Sequence, residues 1–124
     1  MFDKVFSIGL EIAITKTFKQ SAAVDQRRCW CNGIILPDND TLYSVEQVLK
    51  TRQLIAKAWI DEGRGEDEGS QYLYDVKLNF GDKSVDILRT GDSGDRLLTC
   101  IPDNVFDSWM TFEKENKTID LRLT

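Results

Sequence analysis

The reading of this chain turns on residues 44–62, SVEQVLKTRQLIAKAWIDE. At about 100° per residue, Val48, Leu49, Ile55, Ala56, Trp59 and Ile60 fall within an arc of about 140°, which predicts one amphipathic helix across the segment. Ser44 is placed to cap its exposed amides, and Gln47 three residues on completes a capping-box pattern. Gly63 and Gly65 supply the stop. Such a helix is about 27 Å long, enough to cross a small sheet. Arg52 falls inside the apolar arc and Leu54 on the opposite side. An arginine so placed either lays its stem along the core edge and pairs with a sheet carboxylate, or grips an anion in a pocket between helix and sheet.

Outward from this segment the pattern is that of strands. On the N-terminal side, Phe6, Ile8, Leu10, Ile12 and Ile14 alternate with Ser7, Gly9, Glu11 and Ala13, which predicts a strand over 6–14 extending towards Phe18. A second strand is expected over 28–36, RCWCNGIIL, before the turn chemistry of Pro37-Asp38-Asn39-Asp40. On the C-terminal side, residues 61–70 contain no apolar side chain and three glycines, so they read as an exposed acidic loop. Tyr72, Tyr74, Val76, Leu78 and Phe80 then mark a strand that forms a hairpin with 84–89 through Gly81-Asp82-Lys83. A short strand is expected over 96–101 and a second helix over 102–115, with Val105, Phe106, Trp109 and Phe112 on its buried face. A last strand is expected over 118–124. The order is β-β-α-β-β-β-α-β. It implies an α+β fold with a mainly antiparallel sheet of about six strands and one long and one shorter helix packed on it.

The chain has 124 residues, 41% hydrophobic and 30% charged, which fits a single globular domain over 1–124. No apolar run approaches the ~20 residues of a membrane span. Asp3 and Glu11 interrupt the N-terminal apolar stretch, so it does not read as a signal peptide and a cytoplasmic location is expected. Three cysteines, Cys29, Cys31 and Cys100, cannot all pair within the chain, and free thiols are the expectation. Net charge is −5. Residues 1–60 carry eight basic and six acidic side chains, residues 61–124 eight basic and fifteen acidic. Direct nucleic-acid binding is not expected of such a chain, because it lacks a clustered basic surface.

There is no histidine, which removes Ser-His-Asp and Cys-His catalysis, histidine-ligated metals and the usual proton shuttle near neutral pH. Gly91-Asp92-Ser93-Gly94-Asp95 resembles the nucleophile sequence of serine proteases, but it lacks a base and reads as a turn. The Cys29-x-Cys31 spacing with Cys100 lacks both the paired spacing and the fourth ligand of a zinc site. Neither Asp38 with Asp40 nor Asp92 with Asp95 has calcium-loop spacing. No phosphate-binding glycine loop occurs, and no cofactor is implied.

What remains is interaction chemistry. Asp61, Glu62, Glu66, Asp67 and Glu68 lie within eight residues, followed directly by Tyr72 and Tyr74. An acidic cluster steers association with a basic surface, and tyrosines beside it supply anchors. The expectation is a non-catalytic binding protein of the inhibitor or immunity type, which occludes the basic site of a partner protein such as a nuclease toxin. Two alternatives stand beside it. One is an anion-binding or enzymatic domain that uses Arg52, and the other is a structural subunit or adaptor that pairs through a sheet edge.

Overall fold

A computed structural model describes residues 4–24, 26–36, 42–63, 71–91 and 96–123, the side chains of 42–45 and 117–123 excepted. The elements are α1 (Lys4–Lys19), β1 (Trp30–Ile35), α2 (Leu42–Thr51), β2 (Gln53–Asp61), β3 (Gln71–Asn79), β4 (Ser84–Arg89), β5 (Leu97–Cys100) and α3 (Asp103–Leu123), with one 3-10 turn at Gln26–Arg28. The class is α+β, as the sequence predicts. The sheet has five strands, in the order β1-β2-β3-β4-β5, and every neighbouring pair is antiparallel. Three helices replace the two expected, so the order runs α-β-α-β-β-β-β-α. Among the described residues no helix is long and apolar enough to cross a membrane.

Three expected elements are different. The strand over 6–14 is part of α1. Its buried residues Phe6, Leu10, Ile14 and Phe18 recur every four positions, with Ala13 and Thr17 beside them, while Ile8 and Ile12 are exposed. The same apolar residues satisfy both a period of 2 and a period of 3.6, and packing chooses the second. Where a strand is expected over 118–124, the described residues 118–123 are the last part of α3, which runs 21 residues without a break.

The third correction falls on the opening segment. Its first part is α2, which begins at Leu42, so Ser44 lies inside the helix and does not cap it. Its second part is β2, where Leu54, Ala56, Ala58 and Ile60 are buried in strict alternation. The break is Arg52, whose φ of 56° is left-handed. Its amide still donates to the Val48 carbonyl at 2.8 Å, closing the helix, and its own carbonyl accepts the Phe80 amide at 2.9 Å, joining the sheet end. Arg52 is thus the left-handed residue just past the helix, a position that glycine usually fills.

The described helices bury their apolar sides on one face of the sheet. Phe6, Leu10, Ile14 and Phe18 of α1 and Val105, Trp109 and Phe112 of α3 share one core with Leu54, Ile60, Val76, Leu78, Val85 and Ile87 of the strands. Trp109 stacks on Phe80 at 4.2 Å between ring centroids. Helix α1 approaches α3 closely at Gly9, where a side chain would run into Asn104 and Val105.

Candidate functional site

The two faces of the sheet diverge most at the end where β2 finishes, and the expected site residues gather there. On the helix-covered side, Glu62 is only 4% exposed. Its Oε1 accepts the Tyr74 hydroxyl at 2.9 Å and stands 3.6 Å from Nη1 of Arg89. The Arg89 guanidinium lies 3.7 Å over the Tyr72 ring, and Phe18 meets Tyr74 edge-on. Register explains the gathering: Tyr74 pairs with Arg89 across β3 and β4, and Tyr72 pairs with Ile60 across β2 and β3. Burial, and then the hydrogen bond to Glu62, push the Tyr74 phenol well above its ordinary range. The phenol therefore stays protonated and donating, and the carboxylate stays paired. This cluster fixes the exit of β2 and does not present Glu62 or Tyr74 to a partner.

On the other side Asp61 is cross-strand partner to Trp30, and its Oδ1 accepts the Gly63 amide at 2.9 Å. Gly63 has φ +49°, and a Cβ there would stand 2.8 Å from the Arg28 carbonyl and 3.0 Å from the Trp30 ring, so the chain needs glycine where it leaves the strand. Trp59 lies opposite Gly33, beyond a bulge in β1, and a Cβ added to Gly33 would meet nothing within 4 Å. Trp30 and Trp59 are each 41% exposed. The same face carries Ile35, Ile55 at 60% and Leu98 at 72% exposure. Two ion pairs are closed within it. Lys57 donates to Asp75, holding that carboxyl below the usual carboxylate range, and Arg96 donates to Asp86 at 3.1 Å.

Of the expected site residues, Asp61, Glu62, Tyr72 and Tyr74 are thus together at one sheet end, divided between its two faces. Glu66, Asp67 and Glu68 lie outside the described residues, as do the turns at 37–40 and 92–95. Arg52 is exposed at the junction of α2 and β2, not on the inner face of a helix. Cys29 and Cys31 are buried and Cys100 is exposed, all as free thiols. Burial pushes the Cys31 thiol up to about 11, so it is a poor nucleophile near neutral pH. Among the described residues, no group of three or more Cys, Asp or Glu side chains is arranged to hold a metal ion.

The sequence reading counted Trp30 and Trp59 among aromatics that are mostly core, and it did not single out Arg89. The signal for Trp59 was present in β2, where large apolar residues occupy both phases of the alternation, Leu54 and Ile60 on one and Ile55 and Trp59 on the other. No protein-family model matches the chain, and neither a curated protein nor a solved structure does.

Proposed function

We propose that this chain is a non-catalytic binding protein of the inhibitor or immunity type, acting in the cytoplasm on a partner protein with a basic surface, such as a nuclease toxin. The observation that carries the proposal is the pair of exposed indoles, Trp30 and Trp59, on the open sheet face at the strand end where the sequence turns acidic. Tryptophan on an exposed surface is the side chain that contributes most when a partner desolvates it, and its ring attracts lysine and arginine. Asp61 stands across from Trp30, and Glu66, Asp67 and Glu68 follow in the chain. Charge of this kind accelerates association with a basic partner more than it deepens the final affinity. Glu62 contributes differently from its acidic neighbours: it holds the exit of β2 in place.

The test is affinity capture from the native cell, followed by purification of the captured protein and titration against variants. Replacing Asp61, Glu66, Asp67 and Glu68 with their amides should lower the association rate about tenfold or more and flatten its salt dependence. Replacing Trp30 and Trp59 with serine should accelerate dissociation at least about tenfold. A partner whose binding ignores both sets of changes, or the capture of no partner at all, overturns the proposal.

A further inference from the structure

The open face of the sheet has a gap in one of its rows of side chains. On β1 the row runs Trp30, Gly33, Ile35, and its partners across β2 are Asp61, Trp59 and Lys57. Same-face neighbours in a strand are about 6.6 Å apart, so Trp30 and Ile35 stand about 13 Å from each other with a glycine between them. The chain itself does not require glycine there. Gly33 lacks the left-handed φ of Gly63 and Gly91, so the bulge beside it does not demand one. Among the described residues beyond its chain neighbours, nothing comes within 4 Å of where its Cβ would stand. Trp59, directly opposite, therefore does not close over it. Glycine inside a strand weakens the strand, and where neither φ nor packing demands it, the reason left is the close approach of another group.

The border of the gap has a definite chemistry. Among the described residues, the rings that carry a cation are Phe106, under Lys83, and Tyr72, under Arg89; the exposed indoles of Trp30 and Trp59 carry none. Asp61 is the cross-strand partner of Trp30 and stands two residues on from Trp59. Its Oδ1 accepts the Gly63 amide, and its Oδ2 has no partner among the described residues. Lys57, the cation of this border, is engaged by Asp75. Ile35 adds an aliphatic wall. Two aromatic rings, an aliphatic side chain and one unengaged carboxylate oxygen thus surround a position without a side chain.

We infer that the gap over Gly33 takes one arginine side chain of the partner protein, its stem against Ile35 and its guanidinium at the two indoles and Asp61. This rests on the binding function proposed above and names the side chain by which the open face holds a basic partner. Arginine fits this border better than the other candidates do. An aliphatic side chain would cover the unengaged oxygen of Asp61 and leave it without a hydrogen bond. A lysine ammonium is a compact, strongly hydrated charge. A guanidinium is planar and more weakly hydrated, and it stacks on an aromatic face while donating to a carboxylate.

The experiment is a titration of the full chain with a capped glycine peptide carrying one central arginine, followed through the indole N–H signals in NMR spectra. Matching peptides carry lysine, or citrulline, which keeps the shape of arginine without its charge. The Trp30 and Trp59 signals should move saturably, and that of Trp109, 2% exposed, should stay. The citrulline peptide should bind about tenfold or more weakly, and the lysine peptide about threefold. Asp61→Asn, which keeps an oxygen for the Gly63 amide, should weaken the arginine peptide about fivefold. Gly33→Val fills the gap and should abolish binding, while its urea midpoint holds or rises, since a β-branched residue replaces glycine in a strand. The inference is overturned by the absence of a saturable shift, by equal binding of the citrulline or lysine peptide, by binding that survives Asp61→Asn or Gly33→Val, or by a Gly33→Val chain that does not fold. A captured partner that binds Gly33→Val as it binds the wild type sinks this contact and leaves the proposed function standing. Arginine binding that behaves as expected in a chain that captures no partner does the reverse.

Discussion

Two residues adjacent in the chain, Leu54 and Ile55, are chemically almost identical, yet one is fully buried and the other 60% exposed. The same contrast holds along the whole of β2, between the covered face of the sheet and the open one. On the covered face the apolar side chains share one core with α1, α2 and α3, so removing one leaves a hole. On the open face Ile55 and Trp59 border water, and among the described residues no helix crosses them. A single exposed leucine or isoleucine is ordinary on a protein surface. A strand that presents large apolar residues to both sides, with a second tryptophan on the neighbouring strand, is more than scatter. The difference separates apolar residues that hold the fold from apolar residues available for contact.

The sharpest way to break this comparison is to truncate one tryptophan from each group. Trp109→Ala removes a ring stacked on Phe80 and in contact with Phe112. It should cost about 3–5 kcal/mol, a large share of the stability of a domain of this size. Trp59→Ala should cost under about 1 kcal/mol, because the site is open to water on one side. Urea unfolding followed by circular dichroism reads both values. Equal losses would mean that the open face is covered in solution and that the two faces do not differ in kind.

A smaller effect is expected where the covered face meets the strand exit. Tyr74→Phe deletes the hydroxyl that donates to buried Glu62 and should cost about 1–2 kcal/mol at neutral pH. Its pH dependence gives a second reading. Folding raises the phenol's pKa, so the protonated form is favoured in the native state. That contribution is complete below the ordinary tyrosine value of 10.0 and is lost as the pH climbs beyond it. The stability gap between the wild type and Tyr74→Phe should therefore narrow above pH 10. Cys31 adds a parallel loss between its ordinary 9.0 and about 11, present in both proteins and cancelling in the difference. A gap that stays constant from pH 8 to pH 11, in urea titrations at several pH values, would rule out the Tyr74–Glu62 bond as its source.

The hairpin half of the molecule was legible in the sequence. Strands β3, β4 and β5 fall where alternation and turn residues put them, because their apolar residues fit only one period. The other half was not. In 6–18, Phe6, Leu10 and Ile14 belong to both the strand pattern and the helix pattern, and the residues that decide, Ala13 and Thr17, carry little hydrophobic signal. In 44–62 the apolar residues of a short helix and of the following strand happen to fall on one helical arc. The site was half legible for the same reason. Acidic Asp61 and Glu62 stand out in sequence, but which of them is buried depends on the phase of β2. Reading 44–62 as one helix left that phase undefined. With the phase known, Trp59 and Asp61 point to the open side and Glu62 turns into the cover.

That phase is set at Arg52, and the smallest predicted effect tests how. A residue with a Cβ in the left-handed region is strained by about 1–2 kcal/mol relative to the right-handed one, and glycine is not. Nothing in the sequence marks the position as a stop, since neither glycine nor proline stands there; the helix ends because Leu54, Ala56, Ala58 and Ile60 are worth more as a buried strand. Thr51 assists from the helix side, its hydroxyl donating to the Gln47 carbonyl at 2.7 Å and accepting the Gln53 amide at 3.3 Å. If the sheet imposes the break, Arg52→Gly should relieve the strain and raise stability by about 0.5–1 kcal/mol, the gain being trimmed by the extra freedom of glycine in the unfolded chain. Thermal and urea unfolding would register it as a higher midpoint with an unchanged slope. The open face should keep its tryptophan fluorescence. A loss of stability in Arg52→Gly would show instead that the arginine side chain itself holds the junction, and that β2 takes its phase from a contact just before its first residue and not from the burial of its alternate ones.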